Sequence, residues 1–226
     1  MAISRRALIK TGAGAACAMV ATGAHAIQEA KQPEIAKATS ADRLPPIPPD
    51  KMTEAQKKAA ADFAAGRGTP MFGPFIPLLR SPEVMLAAKA LGDHLRYKSA
   101  LPENLNEFAM LITARRWSQQ YEWAVHYPIA LKAGVSPEIA KAVAEGRRPQ
   151  GMSPDEENIY EFCTELHQNQ GVSDATYARV LAKYGEPGVI DLVGVAGYYT
   201  FLAMVLNVAR TPVTQGSAPP LPAFPR

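Results

Sequence analysis

The chain has 226 residues, 47% of them hydrophobic, and its 24 lysine and arginine residues face 21 aspartate and glutamate residues. About 200 residues suffice for one well-packed hydrophobic core. A net charge of only +3 gives no electrostatic basis for binding nucleic acid or an anionic membrane, and we expect neither as a partner.

The N-terminus has the pattern of a twin-arginine export signal. Arg5 and Arg6 precede an apolar run of small residues that ends in an Ala-x-Ala pattern closed by Ala26. The run is short and interrupted by glycines, which argues against a stable membrane anchor. We therefore predict that residues 1–26 are a signal peptide cleaved near Ala26. The mature protein would be periplasmic, carried there in folded form by the twin-arginine export machinery.

Cleavage would leave one cysteine in the mature chain. Cys17 lies in the predicted signal, and only Cys163 remains. An intramolecular disulfide could then not form, even in an oxidising compartment. Three of the basic residues also leave with the signal and no acidic residue does, so the mature protein is expected to be neutral.

Proline-rich segments flank the predicted domain. Residues 27–50 are first polar and then rich in proline, which is typical of a linker or of an extended polyproline II arm, in the second case lying on a neighbouring subunit. The helical domain is predicted for residues 51–212. A proline-rich C-terminal tail follows at residues 213–226.

Capping residues, prolines and glycines divide the domain into helices. The predicted helices run from Thr53 to about Gly66, from Ser81 to Leu101, from Pro102 to about Trp117, from Ser118 to Gly134, from Ser136 to about Glu145, from Ser153 through His167, from Ser173 to Gly185 and from Pro187 to about Ala209. Prolines and glycines at 67–77 predict a fixed, non-helical loop. No alternating strand pattern of useful length appears, so the predicted fold class is all-α.

The last predicted helix is long and apolar enough to pass for a membrane span. Asp191, together with the glycines and tyrosines of this helix, favours instead a helix buried in the core of the protein.

The polar residues around position 120 suggest a site for proton transfer. On a helix, Gln119, Glu122 and His126 fall on one stripe, and Glu107 and Arg115 fall on another stripe of the preceding helix. Carboxylates, an amide and an imidazole among aromatic residues are typical of acid–base chemistry. The alternative is an ordinary i,i+4 ion pair on a solvated face.

This stretch resembles the carboxymuconolactone decarboxylase family, which also contains the alkylhydroperoxidase D-like proteins. The resemblance rests on Leu105-Asn106-Glu107, Ala114-Arg115-Arg116, Gln119-Gln120-Tyr121-Glu122-Trp123 with His126, and Ala130 with Ala133-Gly134, and it covers about residues 50–210. It implies a compact helical bundle of the alkylhydroperoxidase D-like type that assembles as a homotrimer or homohexamer. The apolar loop at 73–75, which resembles decarboxylase-type members, and the proline arm are the expected interface segments.

The chain departs from the peroxidase members of the family at two positions. Those members carry a Cys-x-x-Cys pair where Gln119 and Glu122 stand here, whereas Glu107 and His126 match the family's glutamate and histidine. A dithiol peroxidase needs a thiolate and a resolving thiol, and Cys163 lies too far along the chain to replace the pair. We therefore do not expect dithiol peroxidase activity.

The resemblance implies a cofactor-independent decarboxylase, or a related lyase or isomerase, that acts on a small carboxylated lactone or aromatic-derived acid. His126 is predicted to be the general acid/base, and Glu122 or Glu107 to set its tautomer and charge. Arg115 or Arg116 is predicted to anchor the substrate carboxylate, with a surface ion pair as the alternative for each.

Five further residues are predicted to line the substrate pocket: Gln119, Tyr121, Trp123, Phe75 and His94. For Tyr121 and Trp123 simple packing in the core is the alternative. Two other functions stay open. One is a metal-assisted lyase in which Glu122 and His126 bind an ion with a third ligand; the candidates for that ligand are His94, His167 and Asp191. The other is a non-enzymatic protein that binds a small acid.

Overall fold

A computed structural model describes residues 42–213 and 218–222. The predicted signal peptide, residues 27–41 of the arm and the rest of the tail lie outside these ranges. The described residues form α1 (Glu54–Arg67), α2 (Phe75–Leu78), α3 (Pro82–Tyr97), α4 (Glu103–Arg116), α5 (Gln120–Ala133), α6 (Pro137–Ala144), α7 (Pro154–Asn169) and α8 (Asp174–Ala209), after a 3₁₀ turn at Pro49–Lys51. They contain no strand, and the all-α prediction is confirmed.

Most helix starts lie where the caps predict them. Thr53 and Ser153 form capping boxes with the residue three positions later. Ser136 and Ser173 each accept a hydrogen bond from a backbone N–H of the first turn. These side chains satisfy amide groups that have no partner inside their helix.

Three boundaries differ from the prediction. A single helical turn, α2, lies inside the predicted loop, because prolines are tolerated in a first turn whose N–H groups have no helical partner anyway. The third helix ends at Tyr97 rather than at Leu101. The cap of α5 is Gln119 and not Ser118, which adopts a left-handed φ of 48° and makes the tight turn between α4 and α5.

Helix α8 contains the predicted break. Gly185 has φ 68° and ψ −179°, which are not helical, between the segments predicted to end at Gly185 and to begin at Pro187. By length and composition this helix could cross a membrane, and 56% of its most apolar 18-residue window is buried against the rest of the structure.

Helix α4 lies at the centre of the molecule. It packs against α5, α6, α7 and α8, and every residue from 105 to 115 is buried. A helix enclosed on all sides has no solvated face, so its polar side chains need partners inside the protein. Asn106 donates to the carbonyl oxygen of Leu95, and Thr113 donates to that of Ala109. The same constraint applies to Glu107.

The described end of the arm packs on its own chain. The backbone N–H of Arg43 donates to the carbonyl oxygen of Ala209 at 2.7 Å, and Arg80 donates to the carbonyls of Leu44 and Pro45. The loop at 73–75, expected to be an interface segment, is also buried within the chain. Its apolar side chains complete the core, and Phe75 is only 2% exposed.

Residues 218–222 of the tail cover the start of α5. Gln120 exchanges two hydrogen bonds with the backbone of Leu221, which is 4% exposed. The indole N–H of Trp123 donates to the carbonyl oxygen of Pro219 at 3.0 Å. The tail therefore binds the indole N–H of Trp123, a residue that the sequence suggested for the substrate pocket.

Candidate active site

A buried histidine lies between two carboxylates where α4 and α5 face each other. His126 is 3% exposed; its Nδ1 lies 2.7 Å from Oε2 of Glu107, and its Nε2 lies 3.5 Å from Oε2 of Glu122. The first distance is a strong hydrogen bond, and the second is too long for one. The tight turn at Ser118 makes α4 and α5 a hairpin, which brings Glu107 beside a residue that follows it by 19 positions.

The two glutamates keep the imidazole protonated. Burial by itself would lower the pKa of His126, but the negative charge and the hydrogen bond of Glu107, together with the nearby Glu122 carboxylate, raise this pKa to about 9. At neutral pH His126 is therefore an imidazolium. Its Nδ1 proton is held by Glu107, while the proton on Nε2 has only the long contact with Glu122.

Glu122 has one oxygen available for a further interaction. This carboxylate is 3% exposed, and its Oε1 has no hydrogen-bond partner among the described residues. A buried carboxylate oxygen without a partner is costly, and such groups are concentrated where a ligand binds or a proton moves. Tyr121 and Tyr199 lie close enough for the charge of Glu122, together with burial, to raise their pKa values.

Two arginines supply positive charge to this site. Burial would lower the pKa of Arg96, but nearby tyrosines and the charges of Glu107 and Glu122 raise it. Arg67 is held by Oδ1 of Asp93, which lies 2.9 Å from its Nε and 2.7 Å from its Nη2, and it lies over the rings of three phenylalanines. With both arginines near, the charges of the two glutamates are balanced inside the protein.

A small pocket opens beside these groups. The pocket (the His126 pocket) has a volume of about 30 Å³ and is lined by Arg67, Phe72, Pro74, Phe75, Arg96, Tyr121, Glu122, Val125, His126, Tyr198, Tyr199 and Leu202. That volume holds about two water molecules. A wider hollow of about 480 Å³ shares Arg67 and Phe72 with it, so these two side chains separate the pocket from a surface cleft.

Five of the predicted site residues come together here. Glu107 bonds to His126, and Glu122, His126, Tyr121 and Phe75 line the pocket. Gly73 allows Tyr121 to lie against the loop before α2, because a Cβ at position 73 would come within 2.6 Å of the tyrosine ring.

The other predicted pocket residues lie outside the lining of the His126 pocket. Arg115 lies eight residues after Glu107, or about 12 Å further along α4, and donates to the carbonyl oxygen of Pro222 at 2.6 Å. Arg116 lies on the same distant end of α4 and donates to the backbone of His167. Neither arginine lines the His126 pocket.

The remaining three predicted residues also serve the fold. Gln119 is the N-cap of α5, accepting from the N–H of Tyr121 and donating to Asn207. Trp123 is 1% exposed in the core and bonds to the tail. His94 bonds to Asp191 at 2.9 Å at a half-exposed position away from the pocket.

Four polar residues of the pocket lining were missed from the sequence: Arg67, Arg96, Tyr198 and Tyr199. The adjacent tyrosines in the very apolar helix α8 were a usable signal, because a buried phenol needs a reason to be there. The two arginines gave none, since each looks like an ordinary cation in the last turn of its helix.

The third metal ligands considered from the sequence do not converge on His126. His94 bonds to Asp191, and His167 contacts Thr113 at 3.1 Å. Among residues 42–213 and 218–222, no group of three or more His, Cys, Asp and Glu side chains is arranged to hold a metal ion.

The comparisons with known proteins agree with this helical hairpin. Residues 82–165, which include α4, α5 and the pair Glu107–His126, match the sequence model described as the Carboxymuconolactone decarboxylase family. These 84 of the 226 residues are similar to that family. No curated protein matches the chain.

Two solved structures show that the chain has an alkylhydroperoxidase D-like fold. One is an uncharacterized peroxidase-related protein from Ralstonia eutropha JMP134, described as an alkylhydroperoxidase AhpD core, with a TM-score of 0.58 and 15% identity, covering 74% of this chain and 88% of that chain. The other is an uncharacterized peroxidase-related protein from Silicibacter sp. TM1040, with a TM-score of 0.57 and 13% identity, covering 81% of this chain and 93% of that chain.

The only cysteine in the described residues is not suited to react as a thiolate. Cys163 is fully buried in α7, and burial raises the pKa of its thiol to about 12. A thiol that stays protonated is a poor nucleophile.

Proposed function

We propose that the chain is a cofactor-independent lyase or isomerase that moves a proton on a small carboxylated lactone or aromatic-derived acid. The observation that carries this proposal is the buried His126 imidazole between Glu107 and Glu122, beside a Glu122 oxygen that has no hydrogen-bond partner among the described residues. Gln119 and Glu122 stand where a dithiol peroxidase would need cysteines, and Cys163 is buried elsewhere. Those facts favour acid–base chemistry over thiol chemistry.

The geometry suggests a separate role for each of the three groups. His126, with a pKa of about 9, carries a proton at neutral pH and is suited to act first as the general acid, through Nε2. Glu107 fixes the ring through Nδ1. Glu122 is suited to accept a proton at Oε1. In a decarboxylation the electron pair of the breaking C–C bond would form an enolate, carbon dioxide would leave, and His126 would protonate the carbon.

In an isomerisation the same groups would act as a pair. Glu122 would take a proton from a carbon next to a carbonyl group, and His126 would return one at a second atom. The nearby positive charge of Arg96 would stabilise the enolate that forms between the two steps.

Arg96 and Arg67 replace Arg115 and Arg116 as the proposed anchors for the substrate carboxylate. Both line the His126 pocket. Arg67 is fixed in place by Asp93, whereas no hydrogen bond within the described residues holds Arg96. We therefore assign the main carboxylate contact to Arg96 and a fixed electrostatic contribution to Arg67.

The substrate would reach His126 from the 480 Å³ hollow that shares Arg67 and Phe72 with the pocket. A 30 Å³ pocket is too small for a ring acid, so Phe72, which is 36% exposed, would have to swing outward. Gly68 and Gly73, both with positive φ, bracket the segment that carries it.

Turnover on a panel of unsaturated lactone acids and ring acids tests the proposal. We expect carbon dioxide release, or incorporation of solvent deuterium into the substrate, and a loss of about 10²-fold or more in His126→Gln and Glu122→Gln. His94→Gln, at a histidine outside the pocket, should retain activity. Near-normal turnover in His126→Gln would remove this histidine from the mechanism. Ligand binding without turnover across the panel would favour the small-acid binding protein instead.

The proposed contact between Arg96 and the substrate carboxylate gives a second prediction, which is tested on the same substrate. Arg96→Gln should raise KM by about tenfold or more, because a charge-assisted hydrogen bond to the carboxylate is lost. Arg179→Gln, which removes an exposed cation of α8 that pairs with Glu161, should leave KM unchanged. An unchanged KM in Arg96→Gln would contradict the assignment.

We also propose that the protein acts in the periplasm as a homotrimer or homohexamer. The export pattern at residues 1–26 supports the location. A stripe of exposed apolar side chains on α8, formed by Ile190, Val193, Met204 and Val208, offers a surface for a second copy. Native mass spectrometry and cell fractionation test these two points, and a monomer or a cytoplasmic protein would contradict them.

A further inference from the structure

A second cavity lies at the other end of α4 and shares no residue with the His126 pocket. This cavity (the arginine cavity) has a volume of about 140 Å³ and lies between α4, α7 and the end of α6. Three guanidinium groups line it, from Arg115, Arg116 and Arg147. Nothing in the proposed reaction at His126 uses these three residues.

The lining of the arginine cavity is positively charged. Its described lining residues include three arginines and no acidic residue. Arg116 donates to a backbone carbonyl, that of His167, which brings no negative charge. Arg147 has a carboxylate partner, Glu145, and its side chain is about half exposed. An anion in the cavity would be attracted by the guanidinium groups that line it.

His167 adds no charge to the arginine cavity. Burial, and then the positive charge of Arg116, lower its pKa below the usual value. The ring is therefore neutral at neutral pH and is able to hydrogen-bond a ligand as well as Thr113.

The lining also contains apolar residues. Ile112 and Val143 are 7% and 4% exposed, and Tyr160 lines the same cavity. A cavity of about 150 Å³ with an apolar lining is large enough for benzene. An open hollow of about 450 Å³ shares Arg116 and His167 with the arginine cavity, which provides a route from the surface.

We propose that the arginine cavity is a second binding site, independent of the reaction at His126, that takes a small organic carboxylate about the size of one six-membered ring. The carboxylate would contact Arg116 and Arg147, with Arg115 behind them. The ring would pack on Ile112 and Val143.

Calorimetric titration of the full chain with benzoate, benzamide and inorganic phosphate tests the proposal. Benzoate should bind, and benzamide, which has the same shape without the charge, should bind at least about tenfold more weakly. The double variant Arg116→Gln/Arg147→Gln should weaken benzoate binding by about tenfold or more. The double variant Lys57→Gln/Arg179→Gln removes the same charge at exposed positions outside the cavity, and benzoate should bind it as it binds the parent chain.

A second variant separates the cavity from its charge. Thr164→Phe would fill the space while keeping the three arginines, and it too should abolish benzoate binding. Benzoate binding that persists in both Arg116→Gln/Arg147→Gln and Thr164→Phe would place the ligand at another site and overturn the proposal. Equal binding of benzamide, binding of phosphate alone, or no binding at all would overturn it as well.

Discussion

The ionisation of His126 depends on which residue faces each of its two nitrogens. Glu107 faces Nδ1 at 2.7 Å and Glu122 faces Nε2 at 3.5 Å. Both carboxylates raise the pKa of the imidazole against the opposing effect of burial. The closer one, Glu107, contributes most of this effect, so that it controls the charge of the site while Glu122 remains available for a substrate.

Replacing Glu107 should therefore lower the pKa of His126. In Glu107→Gln we expect the pKa to fall from about 9 by at least about one unit, because a charge and a charge-assisted hydrogen bond are lost. NMR titration of the imidazole nitrogens measures it, and the alkaline limit of turnover should move in the same direction. Glu103→Gln, at an exposed position in the first turn of the same helix, is the matched control. An unchanged pKa in Glu107→Gln would contradict the proposed coupling.

At the scale of the elements, the α4–α5 hairpin carries Glu107, Glu122 and His126. The segment between α1 and α2 closes the His126 pocket over them. Gly73 is essential to that closure: its φ is 51°, and a side chain there would meet the ring of Tyr121. Gly68, which ends α1, has a similar φ of 68°, but no neighbouring atom lies within 4 Å of the position a Cβ would take. Comparing substitutions at the two positions thus distinguishes the effect of backbone strain from the effect of steric overlap.

The substitutions Gly68→Ala and Gly73→Ala should differ accordingly. Gly68→Ala should reduce the free energy of unfolding by about 1 kcal/mol, the cost of a left-handed alanine. Gly73→Ala adds a clash with Tyr121 and should cost about 1–3 kcal/mol more. It should also reduce turnover, whereas Gly68→Ala should not. Urea unfolding and steady-state kinetics measure the two effects, and equal losses in both variants would show that Tyr121 does not depend on Gly73.

At the scale of the whole molecule, the buried charges make stability depend on pH. The pKa of His126 is about 9 in the folded chain, whereas the ordinary value of 6.5 applies to the unfolded chain. Folding therefore favours the protonated ring. The resulting stabilisation is fully present below pH 6.5 and is lost as the pH rises through 9.

Thermal unfolding between pH 6 and pH 10 should show this dependence. The parent chain should lose stability steadily above pH 6.5, and His126→Gln, although less stable at pH 6, should have a flatter profile over the same range. Parallel profiles for the two proteins would mean that His126 does not change its pKa on folding.

The sequence determined the local structure and the identity of three residues of the candidate site. Caps, prolines and glycines placed the helices, because these residues act through their own backbone. Glu107, Glu122 and His126 could be recognised because their spacing along two helices is a local property, and because the resemblance to the family rests on those same residues.

Only the tertiary structure decided which residues surround Glu107, Glu122 and His126. Arg115 and Arg116 lie near His126 in sequence but at the far end of α4, while Arg67, Arg96 and Tyr199 come from α1, α3 and α8. Trp123 donates a hydrogen bond to the tail, and Gln119 is the N-cap of α5. Residues that are eight positions apart on one rigid helix are also far apart in space. The walls of a pocket come from different helices, which meet only when the chain has folded.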